Sequence, residues 1–188
     1  VTKALVSLAT GLGKTFLAAF DAREFSGRTL FIVHNNEILE QARRAFETVL
    51  PNRTSGFYNG LEKSPESEIV FANVCSLRGR EGLEQFDPKS FDYIVVDEAH
   101  HATTNNYRRV LSHFRPKFLL GLTATSFRTD DVSVLQVFDR NLIYRVTQKE
   151  AIDRGFLAPF HYVALLDNVD SSKIRHNGYR YFVEDLNK

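Results

Sequence analysis

Five apolar runs of strand length recur along this chain: Ala4 to Ala9, Arg28 to His34, Glu68 to Cys75, Asp92 to Asp97 and Lys117 to Leu122. They are continuous rather than alternating, as in RTLFIVH, EIVFANVC and DYIVVD. A strand with one wet face alternates apolar and polar residues; a strand covered on both faces has no need to. Between these runs the period changes to that of a helix. Phe16, Leu17, Ala19, Phe20 and Ala22 recur at helical spacing across Thr15 to Phe25, with Gly27 as a stop. Ile38, Ala42, Phe46 and Val49 form a second stripe across Glu37 to Leu50, ended by Pro51. Tyr107, Val110, Leu111 and Phe114 mark a third. Thr147-Gln148-Lys149-Glu150 has the form of a capping box, and Gly155 closes that short helix. The alternation predicts an α/β fold, a parallel sheet with helices on both faces.

At 188 residues the chain has room for one domain and a piece of a second. The expected division is a domain over 1–158 and the incomplete start of a linker or second domain over 159–188. Pro159 precedes an apolar run from Phe160 to Leu166, and the polar stretch from Asp167 onward carries a Tyr/Phe cluster. Methionine is absent even at position 1, which points to an internal piece of a longer protein whose first domain is truncated at its N-terminus. The net charge of +1 excludes nucleic-acid binding by bulk charge alone. Cys75 is the single cysteine, so an intrachain disulfide and a cysteine-based zinc site are both excluded. A reducing, cytoplasmic setting is expected, with Cys75 as a packed thiol on or just past its strand. No segment is long and apolar enough to span a membrane.

The segment Ala9-Thr10-Gly11-Leu12-Gly13-Lys14-Thr15 follows a strand and opens a helix. Glycines let successive backbone N–H groups turn inward on an anion, and the helix N-terminus adds its dipole. Thr10, Gly11, Leu12, Gly13, Lys14 and Thr15 would thus cradle phosphates. The Lys14 amine is suited to bridging β- and γ-phosphates, and the Thr15 hydroxyl to ligating Mg²⁺. Leu8 stands where the eight-residue form of this pattern has its first glycine. A plain glycine turn capping a helix is the alternative, and the strand–loop–helix context argues against it.

Asp97-Glu98-Ala99-His100 sits where the strand Tyr93 to Val96 runs out. Parallel sheets bind ligands at the carboxyl ends of their strands, so this acidic pair and the glycine loop should share one rim. Asp97 suits Mg²⁺, directly or through water, and Glu98 suits orientation and deprotonation of an attacking water. Alone, the pair would read as a solvated acidic turn; Lys14 on the same rim changes that.

ATGLGKT at 9–15, DEAH at 97–100 and LTAT at 122–125 resemble motifs I, II and III of superfamily 2 helicases. Within that superfamily the chain, over about residues 4–165, is most similar to the first RecA-like domain of the type III restriction subunit-like group. FIVHNNEILEQA at 31–42, ANVCSL at 72–77 and TSFRTDD at 125–131 agree in order and spacing. The resemblance implies a P-loop NTPase with a RecA-like sheet, an ATP hydrolase that uses ATP and Mg²⁺ to move on nucleic acid. It implies a second RecA-like domain in the same polypeptide, with ATP between the two. It places Lys14, Thr15, Asp97 and Glu98 in the phosphate, metal and base roles. His100, Thr123, Thr125 and Arg128 map onto coupling positions, and His34, Asn35, Asn73 and Ser76 onto contacts with the sugar–phosphate backbone. DNA is favoured over RNA, and a fused or associated nuclease is left open. Asn at 35 and 36, Asn73 and Ser126 stand where the group usually has a basic residue, Thr and Pro.

Other features read more plainly. His34 is weighed between a backbone-phosphate contact and a structural histidine, and Arg128 between a nucleotide or domain contact and a surface ion pair. Arg43, Arg44, Arg108 and Arg109 read as solvated helix faces. His101, His113, His161 and His176 show no metal-ligand spacing. Two rival functions are a small-molecule P-loop phosphotransferase and a nucleotide-sensing scaffold without motor activity. The Glu98/His100 pair and the TAT segment at 123–125 argue against the first; activity of the parent protein that is lost in Glu98→Gln with nucleotide binding retained would reject the second.

Overall fold

The computed structural model describes residues 2–124 and 132–160. Thr125, Arg128 and the rest of the 125–131 run lie outside the described residues, as does everything after Phe160. Residues Val1–Ala158 pack as one compact unit.

Seven strands form one sheet: β1 (Lys3–Leu8), β2 (Thr29–Val33), β3 (Ser55–Tyr58), β4 (Ile69–Asn73), β5 (Tyr93–Val96), β6 (Phe118–Thr123) and β7 (Leu142–Val146). Their order is β3-β4-β2-β5-β6-β1-β7, and every pairing between them is parallel. The α/β class and the parallel sheet expected from the apolar runs are present. Helices α1 (Lys14–Asp21), α2 (Asn36–Val49), α3 (Val74–Leu77), α4 (Arg80–Glu84), α5 (Asn105–His113), α6 (Val132–Val137) and α7 (Gln148–Asp153) complete the described elements, with two 3₁₀ turns at Ala22–Glu24 and Ala99–Thr103.

The continuous apolar runs have a direct cause. Successive residues of a strand point to opposite faces. Leu30 and Ile32 of β2, with Ile94 and Val96 of β5, enter one core together with Val74, Leu77, Val110 and Phe138. Phe31 and Val33, with Tyr93 and Val95, enter the other, against Ala18, Ala19, Leu39, Phe46 and Ala151. Both faces are therefore dry, which favours apolar side chains along the central strands.

Three expectations change. The helix read over Thr15 to Phe25 ends at Asp21, where the chain tightens into the 3₁₀ turn. The run Glu68 to Cys75 is strand only to Asn73, because the Asn73 side chain accepts the N–H of Cys75 at 2.9 Å and starts α3. Cys75 is consequently exposed rather than packed. The two edge strands, β3 and β7, carry no continuous apolar run; β7 leaves Ile143 and Tyr144 exposed.

Gly121 sits in the middle of β6, where a side chain would point into the Phe138 ring and Leu5. Phe138 is fully buried, so the ring has nowhere to go. Gly121→Ala should cost about 1–3 kcal/mol by overpacking. The check is urea denaturation, with a lowered midpoint at unchanged slope; an unaltered midpoint would show that the ring yields.

Candidate functional site

In an all-parallel sheet every strand ends on the same edge. The register sets the order of residues along that edge. Asn73 ends β4 opposite Val33 of β2, Ile32 pairs with Val96 of β5, Val96 with Gly121 of β6, and Thr123 with Ser7 of β1. Residues near the strand ends therefore run Asn73, His34, Asp97, Thr123 and the glycine loop. Strands lie about 4.8 Å apart, so the starts of the glycine loop and of the acidic turn are separated by one strand and roughly 10 Å.

The glycine loop folds as its composition requires. Gly11 and Gly13 take φ of 91° and 73°, values that strain any other residue. Gly13 is the N-cap of α1, so Lys14 and Thr15 open the helix and their N–H groups face the loop's interior. The Ala9 N–H donates to the Val146 carbonyl at 3.1 Å, tying the loop's first residue to β7. Lys14 Nζ donates to the Leu8 carbonyl at 3.2 Å. Leu8 thus supplies a resting acceptor where the longer pattern has glycine.

Across the rim, Asp97 is buried and Glu98 is not. Glu98 adopts φ 51°, ψ 50°, a left-handed conformation rare for a side chain of its size. This single residue turns the chain from strand to 3₁₀ helix and points the two carboxylates apart. Asp97 Oδ1 accepts the Glu98 N–H at 2.9 Å, while Glu98 Oε2 meets His100 Nδ1 at 3.2 Å. Burial raises the pKa of Asp97 and the Glu98 charge adds to this. The Glu98 N–H bond, the Lys14 ammonium and His100 oppose it. Lys14 is therefore close enough to act on Asp97 through space.

Asp97 is thus a buried carboxyl whose burial penalty the Glu98 N–H, Lys14 and His100 offset only in part. Asp97 and the Thr15 hydroxyl are hard oxygen donors of the type Mg²⁺ takes. Among the described residues no group of three or more His, Cys, Asp or Glu could hold a metal by itself.

The other predicted residues are placed as follows. Thr123 is buried at the end of β6, between the acidic turn and β1. His34 is exposed just past β2. Asn35 caps α2 by accepting the Glu37 N–H at 3.0 Å. The Asn73 amide donates to the His34 carbonyl at 3.1 Å and to Asn36 Oδ1 at 2.9 Å. Both asparagines thus hold backbone in place. Ser76 is half-buried in α3.

Two residues were not singled out by sequence. His101 brings three imidazoles together, with ring centroids 4.1 Å from His100 and 4.5 Å from His34. Burial, then the neighbouring histidines, lower its pKa. The Tyr107 ring lies nearly parallel to His101 with centroids 6.5 Å apart, and its buried hydroxyl has no hydrogen-bond partner among the described residues. Burial and the nearby Asp97 charge push that hydroxyl's pKa up. The histidine cluster has no local signal because His34 follows β2 while His100 and His101 follow β5.

The raised pKa of Asp97 has a consequence for stability. The folded chain holds this proton more tightly than the unfolded chain. Stability therefore falls as pH rises from the ordinary carboxylate range through the raised value, and the penalty persists at neutral pH. Asp97→Asn should raise the thermal midpoint of the free protein at neutral pH, with the gain shrinking in acid. Calorimetry across that range checks it; a midpoint at or below the parent's at neutral pH would contradict the electrostatic account.

Comparison with known proteins agrees with this geometry. The chain is 28% identical to the putative ATP-dependent helicase IRC3 of Saccharomyces cerevisiae, over 90% of this chain and 27% of that protein. It is 33% identical to the putative mitochondrial ATP-dependent helicase irc3 of Schizosaccharomyces pombe, over 74% of this chain and 25% of the relative. The chain thus spans about a quarter of the length of these relatives. The helicase domain of Hef from Pyrococcus furiosus shares the fold, with a TM-score of 0.67 and 21% identity over 86% of this chain and 38% of that one. The type III restriction enzyme res subunit model matches residues 1–128. That match covers more than half of the sequence, and the chain belongs to the type III restriction enzyme res-subunit family.

Proposed function

We propose that residues 1–158 are the first RecA-like, ATP-binding domain of an ATP-dependent helicase or translocase. The domain would work with a second RecA-like domain on nucleic acid, DNA rather than RNA. Residues 159–188 would begin the connection to that second domain, and the setting would be cytoplasmic. One observation carries the reading: the register sets the glycine loop and the acidic turn on either side of a single strand end, the spacing a bound triphosphate needs.

In this reading the loop amides of Thr10 to Thr15 hold the β-phosphate, and Lys14 leaves the Leu8 carbonyl for the γ-phosphate. Thr15 and Asp97 hold Mg²⁺, which when bound offsets charge on the phosphate oxygens. Glu98 takes the proton of the attacking water, and His100 fixes its carboxylate through the 3.2 Å contact. The raised Asp97 pKa favours cation binding, because an ion relieves the burial penalty. Thr123, buried between the acidic turn and β1, would register the state of the nucleotide. Thr125 and Arg128, outside the described residues, would extend that path.

The strand-contacting face would lie at the β2 and β4 ends. His34 presents an exposed ring there, and Ser76 a hydroxyl. Asn35 and Asn73 would act mainly by shaping the loop, since their side chains already hold Glu37, His34, Asn36 and Cys75. A small-molecule phosphotransferase leaves this second half of the rim without a task.

Glu98→Gln should keep nucleotide affinity and lower hydrolysis by about 10²- to 10⁴-fold. The check is phosphate release with duplex DNA, measured on this domain joined to its second RecA-like domain. Unchanged turnover in Glu98→Gln would remove it from the base role. The 188-residue chain alone should turn over slowly, because an arginine finger supplied from elsewhere is worth about 10³ to 10⁵ in rate. Fast turnover by the chain alone would show that no partner domain is needed.

A further inference from the structure

We propose that His101 is a positioning residue through which nucleic acid at the β2 and β4 ends aims the carboxylate of Glu98. The inference rests on the helicase reading above, which supplies the two ends of the connection, and adds the side chain that joins them.

The connection is a row of close contacts. His34 stands exposed just past β2. Its ring meets the His101 ring edge-on, with centroids 4.5 Å apart and planes at 70°. The His101 ring meets that of His100 at 4.1 Å and 44°. His100 Nδ1 lies 3.2 Å from Glu98 Oε2. Three imidazoles thus reach from the open rim to the carboxylate. The ladder between β2 and β5 ends at Ile32 and Val96, followed by the Asp97 N–H on the Ile32 carbonyl. Beyond that point the two turns meet through these rings.

The middle ring is set in a fixed frame. The His101 N–H donates to the Glu98 carbonyl at 2.9 Å, and the His101 carbonyl accepts the Thr104 N–H at 3.0 Å and the Thr104 hydroxyl at 2.9 Å. Ala99 and Ala102 of the same turn are fully buried. Tyr107, buried in α5, lies nearly parallel to the ring. Packed groups pass displacement to their neighbours rather than absorb it. A shift of the His34 ring is therefore felt at His100. Burial and the neighbouring histidines hold the His101 pKa down, so the central ring adds no charge to the row at neutral pH.

The two ends suit a trigger and a target. The His34 carbonyl accepts the Asn73 amide at 3.1 Å, which ties the β2 turn to the β4 turn. A sugar–phosphate strand docked on either turn thus bears on one ring. At the other end the His100 contact is directional: turning the imidazole moves Nδ1 relative to Oε2 and re-aims the Glu98 carboxylate. Misplacing a catalytic group by about 1 Å can cost about 10²-fold in rate.

The test measures turnover with and without saturating duplex DNA, on this domain joined to its second RecA-like domain; the ratio is the stimulation. His101→Ala and His34→Ala should each lower that ratio by about tenfold. The double variant should be no lower than either single, because residues that act as a unit are not additive. His101→Phe, which keeps a flat ring in the row, should hold the ratio within about threefold of the parent's. Saturating DNA removes differences in strand affinity, and the ratio cancels any change in unstimulated turnover. An unchanged ratio in His101→Ala, losses that multiply in the double variant, or a His101→Phe as poor as His101→Ala overturns the relay while the helicase reading stands. The His34 ring is exposed, so an unchanged ratio in His34→Ala overturns the relay even where His101→Ala fails to fold. If neither duplex DNA nor RNA raises turnover in the parent, the nucleic-acid reading itself has failed and the relay falls with it.

Discussion

The parallel register of the sheet is the constraint on which the rest depends. Because all seven strands point the same way, every turn that leaves a strand's carboxyl end emerges on one edge. No residue of the site needs a long excursion to reach its neighbours. The glycine loop, Thr123, the acidic turn, His34 and Asn73 stand in line because β1, β6, β5, β2 and β4 do. The order also divides the edge. The glycine loop, Thr123 and the acidic turn occupy the β1, β6 and β5 part, and the polar loops of His34 and Asn73 occupy the β2 and β4 part. A change of state at one half is one strand away from the other.

The acidic turn shows how that edge tolerates local strain. Glu98 holds a left-handed backbone at a cost of order 1–3 kcal/mol. Asp97 is held as a buried carboxyl whose charge is disfavoured. Both penalties fall on adjacent residues. Surrounding packing over-determines the conformation: Ala99 and Ala102 are fully buried behind the turn, and the Asp97 N–H donates to the Ile32 carbonyl at 3.0 Å. The free domain thus carries both costs in its resting conformation.

Much of this was legible in the sequence, for physical reasons. Central strands β2, β4, β5 and β6 announce themselves because burial on both faces leaves only apolar choices. The glycine loop is legible because φ values of 91° and 73° demand glycine. The capping box at Thr147 and Glu150 is present as its spacing predicts. What stayed hidden lacks a local signature. Edge strand β7 is largely exposed and β3 is only four residues long, so neither stands out as an apolar run. Asn73 looks like a ligand-contacting residue, yet its side chain fastens the β4 turn to β2, a role visible only when strands are neighbours. The stack of His34, His101 and His100 likewise joins two strand ends far apart in sequence. Residues that the sequence marks by type were found; residues that act through long-range contact were not.

The position of β1 has a bearing on how the chain acquires its shape. Its two neighbours in the sheet are β6 and β7, at positions 119–123 and 142–146, and it touches no strand made soon after it. Strands β2, β4 and β5 pair among themselves over shorter separations. Closing a long loop before any contact rewards it is slow, so the early-synthesised strand is among the last to dock. A nascent chain lacking its β6 and β7 segments therefore offers β1, and the glycine loop that follows it, no neighbouring strand to pair with.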